Sequence, residues 1–538
     1  MNPSKTPDML VASSVAGLSD TISEIYRISS TPGLSLGVVH HGEVIQTSHY
    51  GHRDVATSTA PDNDTVYYIA SLSKAITAAA VGILVEQKRL EWGTLISSIL
   101  PEFQRDDAVG QATLLDVLSH RTGLTSSNAF WIQRNQHFYM TKDETVNTVN
   151  HLKAIKPFRK SFHYNNWPFG LATEVIERVT GQTYGEFVTE AIFIPLNMSR
   201  TTVDIPQFED GNIAPAYAVK TDGTLFEIPR PPQSDGTGLA GAGGVKSTVN
   251  DLLRMYKSML SSYNHQIQTN STSTPNSPFK QMATIFESKI AIDDNSIEDE
   301  SYALGWVRSK LPRRLGNIGV NRYFLGGQDK MPIIGRNSPG TVVFHHHGNL
   351  VGMLSSVHLI PETESAVIVM TNSMPFADSP DWVGQLIVET ILGEQKPHDY
   401  VALSKKAKEF HFTKFPELKA EIEQGKTGIA PTHDMLAYEG KYYNKAHNFV
   451  LEIVRNADGL RMISQGFSDA AYELRPYDGD TFYWSVDRDE QMVHKSMYPW
   501  LWSGLHKVTF ETNDHGSVDR LAWLHDVAQG IEYFTKSS

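Results

Sequence analysis

No cysteine occurs in the 538 residues. That excludes disulfides, thiolate nucleophiles and cysteine-ligated metals, and it fits a reducing, cytoplasmic setting. A basic surplus is also missing. Lys and Arg number 47 against 60 Asp and Glu, a net charge of −13, and no basic run stands out. Neither nucleic acid nor an anionic membrane is an expected partner. No run reaches the roughly 18 apolar residues of a membrane span. The opening MNPSKTPDMLVASSVAGLSD lacks a charged stretch followed by an unbroken apolar one, so no signal peptide is read there. There is no internal repeat. These absences predict a soluble chain, and its length predicts two or three domains.

The texture changes twice along the chain. Residues 14–29 have helical apolar spacing, and GLSLGVVHHGEVIQTSHYG (33–51) reads as a hairpin turning at His41-Gly42. Helical segments follow from Ile69 to about residue 182, the last ending at Thr180-Gly181 with a C-cap glycine. Residues 236–247 are glycine-rich, and the polar stretch 262–277 predicts a mobile surface loop. From 341 strands return, then a helix near 382–393. Strands at both ends of a helical block predict an α+β domain over 1–395. A Lys/Glu-rich connector is expected over 396–432. About eight short strands over 433–538 predict a small C-terminal antiparallel β-barrel or sandwich.

Three motifs carry chemistry. Ser71-Leu72-Ser73-Lys74 opens the apolar helix from Ile69 to Leu84. At i and i+3 the Ser and Lys side chains share one face, their Cβ atoms about 5–6 Å apart. Such a Ser can attack a carbonyl while the amine takes its proton, and a helix start offers N–H groups to an oxyanion. A second tetrad, Ser277 to Lys280, lies in the polar stretch and reads as accidental. Tyr164-Asn165-Asn166 supplies a phenol for proton transfer and an amide for a substrate carbonyl or the lysine. His346-His347-Gly348 reads as a strand edge that can bind an extended substrate, with His346 as a donor.

In order and spacing these motifs resemble the penicillin-recognising serine hydrolases. That group includes class C β-lactamases, D-alanyl-D-alanine carboxypeptidases, D-aminopeptidases and related esterases and acyltransferases. Their pattern is S-x-x-K, Y-x-N, then K-T-G or H-x-G. Ser119-His120-Arg121-Thr122-Gly123-Leu124, Pro195-Leu196-Asn197-Met198 and Tyr302-Ala303-Leu304-Gly305-Trp306 match further family stretches, so the resemblance spans about residues 15–395. It implies a β-lactamase/transpeptidase-like domain, an antiparallel sheet flanked by helices. It also implies Ser71 as nucleophile, with base and relay duty shared by Lys74 and Tyr164 and the order between them open. The backbone N–H groups of Ser71 and Asn349 would form the oxyanion hole. Residues 433–538 resemble the lipocalin-like barrels of some relatives, and would either cover the cleft or mediate a homo-oligomer.

Two departures refine the expectation. His346 stands where β-lactamases carry Lys, and an imidazole near neutral pH is not a fixed cation. This favours a small-molecule ester or amide over a carboxylate-bearing β-lactam. Trp167-Pro168 replaces smaller residues, making Trp167 a candidate pocket aromatic, and residues 128–140 a second wall. Gly33-Leu34-Ser35-Leu36-Gly37 spells a nucleophile elbow, but it lacks the strand-then-helix setting that elbow needs. Strand alternation puts His345 and His347 on one face and His346 on the other. With no H-E-x-x-H beside them, neither a metal nor a cofactor is expected for catalysis. The readings held against acyl transfer are D-stereospecific aminopeptidase or β-lactamase activity, and a catalytically silent binding protein.

Overall fold

The computed structural model describes residues 7–131, 134–293, 296–457, 459–499 and 501–537. The first six residues of the segment read for a leader, and Ile132-Gln133 within the aromatic stretch, lie outside them.

An eight-stranded sheet forms the centre of the first 395 residues. Hairpin strands Gly33–His40 and Glu43–Gly51 pair beside Ser365–Thr371, followed by Met353–Ile360, Val342–Leu350, Val307–Lys310, Glu300–Tyr302 and Ile290–Ala291. All contacts in the sheet are antiparallel. The N-terminal hairpin turns on His41 and Gly42, both at positive φ, which two-residue hairpins need to match strand twist. Gly33–His40 is buried along its whole length, because helices cover both sheet faces.

On one face lies helix Ser73–Glu86, apolar all round and buried almost throughout. Beside it helix Val249–Thr269 packs on the sheet at Gly37, where a Cβ would come within 2.8 Å of Leu253 and Val249. On the other face Ser19–Ile28, Ser379–Ile391 and Tyr400–Gln424 close a second core around Leu36, Val38, Val369 and Trp382. The expected fold class is what the structure has: α+β, with an antiparallel sheet between helices.

Two stretches depart from the sequence reading. Residues 262–269 belong to a helix rather than a loop. Ser262 and Gln266 continue the buried stripe of Met255, Met259 and Leu260, and Gln266 bonds the backbone of Phe279 and Met282. Polar residues at core spacing hid the period. Residues 400–424 of the expected connector form one helix, whose buried Tyr400, Ala407, Phe410, Phe415, Leu418 and Ile422 keep helical spacing across Pro416.

The C-terminal strands close into an eight-stranded antiparallel barrel in sequence order, from Gly440–Tyr443 to Gly530–Lys536. Its interior is packed with Tyr442, Phe482, Phe510, Trp523 and Phe534, so it is a core and not a ligand cup. Phe130 of the catalytic side contacts Phe449, His525 and Phe534 of the barrel, with ring centroids 4.9, 5.1 and 6.4 Å away. The two parts thus share apolar packing.

Candidate active site

Ser71 lies in a 3₁₀ turn, Ala70–Leu72, that feeds helix Ser73–Glu86. Ala70 holds φ +50, a left-handed backbone that a residue with a Cβ rarely adopts. The turn is pinned by its surroundings. Ser355 Oγ donates to Ile69 O at 3.0 Å, and Ser73 Oγ donates to Ala70 O at 2.7 Å while accepting from Val245 N at 3.0 Å.

Lys74 is fully buried, and its Nζ meets three oxygens: Ser71 Oγ at 3.0 Å, Asn166 Oδ1 at 2.8 Å and Ala242 O at 2.7 Å. None is a carboxylate. Desolvation therefore dominates and drives the Lys74 pKa well below the usual lysine value. A neutral amine has two donors and one lone pair. It can donate to Asn166 and Ala242 and still accept the Ser71 proton. The third oxygen explains the glycine-rich stretch. Short helix Ala240–Gly243 brings Ala242 O against the lysine, and a Cβ on Gly241 would lie 2.5 Å from Thr173 Oγ1.

The Tyr164 side chain lines the cavity beside Ser71, and its ring centroid lies 5.0 Å from Lys74 Nζ. Burial pushes its phenol above the ordinary tyrosine range, so it stays protonated at working pH. Its ring contacts His120 at 4.3 Å and His346 at 6.1 Å, and burial keeps both imidazoles neutral. His120 Nδ1 accepts from Asn165 N at 3.2 Å, and Asn165 Nδ2 donates to Leu124 O and Thr125 O at 3.1 and 2.9 Å. The stretch around His120 thereby fixes Tyr164 and Asn166.

His346 lies on the Tyr164 side of strand Val342–Leu350. Its Nε2 pairs with Tyr302 O–H at 3.0 Å, so Tyr302, not a substrate, is its partner here. Gly348 allows the strand to approach the nucleophile turn: a Cβ there would lie 2.1 Å from Ser355 Oγ and 2.3 Å from Ile69 O. Gly305, at φ +76, performs the same task behind Lys74, where a Cβ would stand 2.7 Å from its carbonyl oxygen. Ser35 is a buried strand residue bonded to Tyr67 and His49, which removes the elbow reading. Ser277 bonds Ser262 at 2.7 Å, and Lys280 points to Thr274 O.

A cavity of about 430 Å³ opens over Ser71, Tyr164, Asn166 and Asn349. Trp167 is not in its wall. It is buried, with Nε1 donating to Ser126 O at 3.0 Å, because it starts helix Trp167–Thr180 inside the core. The aromatic wall comes instead from Trp131 and, unread in the sequence, from Tyr498 and Trp502 of the barrel region. Asn349 Nδ2 donates to Tyr498 Oη at 2.7 Å. Arg322 also lines the cavity, and its guanidinium has no hydrogen-bond or ion-pair partner among the described residues. Gln233, buried with neither amide atom bonded, lines a small extension beside Ser71. No motif flagged these residues, because Arg322 comes from the short helix Asn321–Phe324 and the others from loops, all brought in by the fold.

Fold and cavity together are those of a β-lactamase-type hydrolase, and the comparisons show the same family. The Beta-lactamase family model matches residues 18–389, and a domain of unknown function, DUF3471, matches 424–534. The chain belongs to the Beta-lactamase family. Among similar curated proteins, Unguisins hydrolase ungD of Aspergillus violaceofuscus is 23% identical over 514 residues, 86% of this chain and 81% of that protein. Protein flp of Staphylococcus aureus is 28% identical over 196 residues, 35% of this chain and 38% of that one. The structure of the octameric penicillin-binding protein homologue from Pyrococcus abyssi matches with TM-score 0.56 and 18% identity, covering 97% of this chain and 98% of that one, which shows the shared fold. No helix among the described residues is long and apolar enough to cross a membrane.

Proposed function

We propose that this β-lactamase-family hydrolase cleaves a small-molecule ester or amide through an acyl-enzyme on Ser71. One observation carries the reading: Lys74 Nζ, buried without a counter-charge among the described residues, lies 3.0 Å from Ser71 Oγ. The neutral amine takes the hydroxyl proton as Oγ attacks the substrate carbonyl. Tyr164, protonated beside Ser71, passes a proton to the leaving group and is refilled by the proton that Lys74 took from Ser71. This supports Lys74 as base and Tyr164 as relay. Water or another acceptor then releases the acyl group.

The backbone N–H groups of Ser71 and Asn349 are the proposed oxyanion hole. In a two-residue hairpin such as Val351-Gly352, the closing pair exchanges both backbone bonds and the next pair none. That turns the Asn349 N–H away from strand Met353–Ile360. One such donor is worth about 10²–10³ in rate.

A second reading has a specific support. Arg322 gives the cavity a cation that His346 does not, so an amide bearing a carboxylate fits as well as a neutral ester. No Asp or Glu lines the cavity among the described residues, which leaves a free amino terminus without a counter-charge and weakens the aminopeptidase reading. A silent binding protein would have no use for the Ser71–Lys74 contact.

The test is a fluorophosphonate probe followed by intact-mass measurement. A stoichiometric adduct, lost in Ser71→Ala, is expected. No adduct and no turnover on any activated ester sinks the proposal. A panel of a p-nitrophenyl ester, a chromogenic cephalosporin and a D-amino-acid anilide then ranks the substrate classes. Self-association is read by light scattering.

A further inference from the structure

The face of strand Val342–Leu350 turned away from Tyr164 carries His345 and His347. Across from them strand Met353–Ile360 contributes His358, and helix Ser379–Ile391 contributes Asp381. His347, His358 and Asp381 are all buried, and each offers one ligand atom within 4.8 Å of the others. Nothing in the acyl-transfer chemistry uses this cluster.

His358 is the observation that points to a ligand. Neither of its ring nitrogens has a hydrogen-bond partner among the described residues, although the residue is completely buried. A neutral imidazole carries one donor and one acceptor, and leaving both unmet inside a protein is costly. The ring is nonetheless given room. A Cβ on Gly384 would lie 2.7 Å from His358 Cε1 and 2.9 Å from Nδ1, so only glycine lets the helix pass there.

The surroundings hold the carboxylate as metal sites do. Asp381 Oδ1 accepts from His347 Nε2 at 2.9 Å and Gln385 Nε2 at 2.6 Å, and Oδ2 accepts from Asn321 Nδ2 at 2.8 Å. Such partners orient ligands and tune affinity by about 10–100-fold. His347 also lines the cavity over Ser71, which gives an ion a way in.

We propose that His347, His358 and Asp381 bind a divalent transition-metal ion, Zn²⁺ by their chemistry, which ties the two central strands to the helix behind them. Two imidazoles and one carboxylate are a borderline-soft set suited to Zn²⁺, with water as a fourth ligand. Bonds of about 2.0–2.1 Å require ligand atoms about 3.3 Å apart. The widest pair closes by no more than about 1.5 Å, within reach of side-chain rotation. The ion takes the place of the proton shared by His347 and Asp381 and releases it to solvent. Its role is structural, so it stands apart from the Ser71 reading.

Chelator-stripped full-length protein, titrated with ZnCl₂ by calorimetry, tests this. One equivalent is expected to bind, with a higher Tm. Co²⁺ should give the visible ligand-field bands of a four-coordinate site that Zn²⁺ abolishes. His358→Gln and Asp381→Asn, checked for folding by circular dichroism, should each weaken binding at least about tenfold. Ser71→Ala should bind as the wild type does. No saturable equivalent in the wild type overturns the proposal, whether or not the variants fold. Binding that survives unchanged in both folded variants also overturns it.

Discussion

Two stretches of chain meet at Ser71. One, residues 69–74, brings the proposed nucleophile and an amine on a single turn, with the Ser71–Lys74 contact at 3.0 Å. The other, residues 498–502 of the barrel region, brings Tyr498, Pro499 and Trp502 to the cavity wall. The first is local: a three-residue spacing on one turn creates the geometry wherever the chain folds helically there. The second is distant, arriving from more than 400 residues downstream, and has no meaning until the barrel docks. The Ser71–Lys74 pair therefore sits on short-range structure, whereas Tyr164, Asn166 and the groups that shape the cavity reach it through long-range contacts.

The largest effects should break the local half. Ser71→Ala and Lys74→Ala are each expected to cut kcat/KM by at least about 10³-fold on any substrate, and Ser71→Ala to abolish probe labelling. Near-native turnover in either would remove the distinction altogether. Next comes Gly348→Ala. Its Cβ would collide with Ser355 and the Ile69 carbonyl, both part of the frame around the turn. A loss of about 10²-fold or more in kcat follows from displacing the oxyanion region, measured with the far-ultraviolet spectrum as a folding control. Tyr164→Phe should cost about 10²-fold, the lower end of proton-transfer catalysis.

Smaller effects should sharpen the distant half. Trp502→Ala is expected to raise KM several-fold with kcat less affected, because it removes wall area and no reacting group. Arg322→Gln should lower kcat/KM only for substrates carrying a carboxylate, and the neutral-ester rate is the internal control. Asp526→Ala removes the acceptor of Thr125 Oγ1 at 2.6 Å and Ser127 N at 3.0 Å. A loss of about 1–3 kcal/mol in stability is expected from chemical denaturation.

The pH dependence belongs to the local half. Protonated Lys74 cannot accept from Ser71, so kcat/KM rises with pH as the amine loses its proton. Burial holds that transition well below the usual lysine value. Burial pushes the neighbouring Tyr164 phenol up and the His120 and His346 imidazoles down, away from neutral pH. A rising limb at the ordinary lysine value would contradict the buried, unpaired amine.

Much of this molecule was legible before folding was considered. All eight barrel strands follow the alternation of short β-branched and aromatic runs. The hairpin at His41-Gly42 and the cap at Gly181 follow turn chemistry. Helix Tyr400–Gln424 was hidden by its Pro416 and its charged exposed face, and the last turns of Val249–Thr269 by serines and glutamines at buried positions. Trp167 shows the limit on the site side. Adjacency to Asn166 suggested a pocket aromatic, but helical geometry turns its ring into the core.

What the sequence determined by itself was the proposed reacting set and its order, since Ser71, Lys74, Tyr164, Asn166, His346 and Gly348 lie in motifs that are each read over a few residues. What only the tertiary structure decided was the environment of that set. It buried Lys74 without a carboxylate, gave His346 to Tyr302, and placed Arg322, Gln233 and Trp502 around the cavity. It also gathered His347, His358 and Asp381 behind the strand. The reason is physical. Spacing along a turn fixes which neighbours face each other, but burial and pKa depend on every chain segment that displaces water, and those segments come from across the sequence.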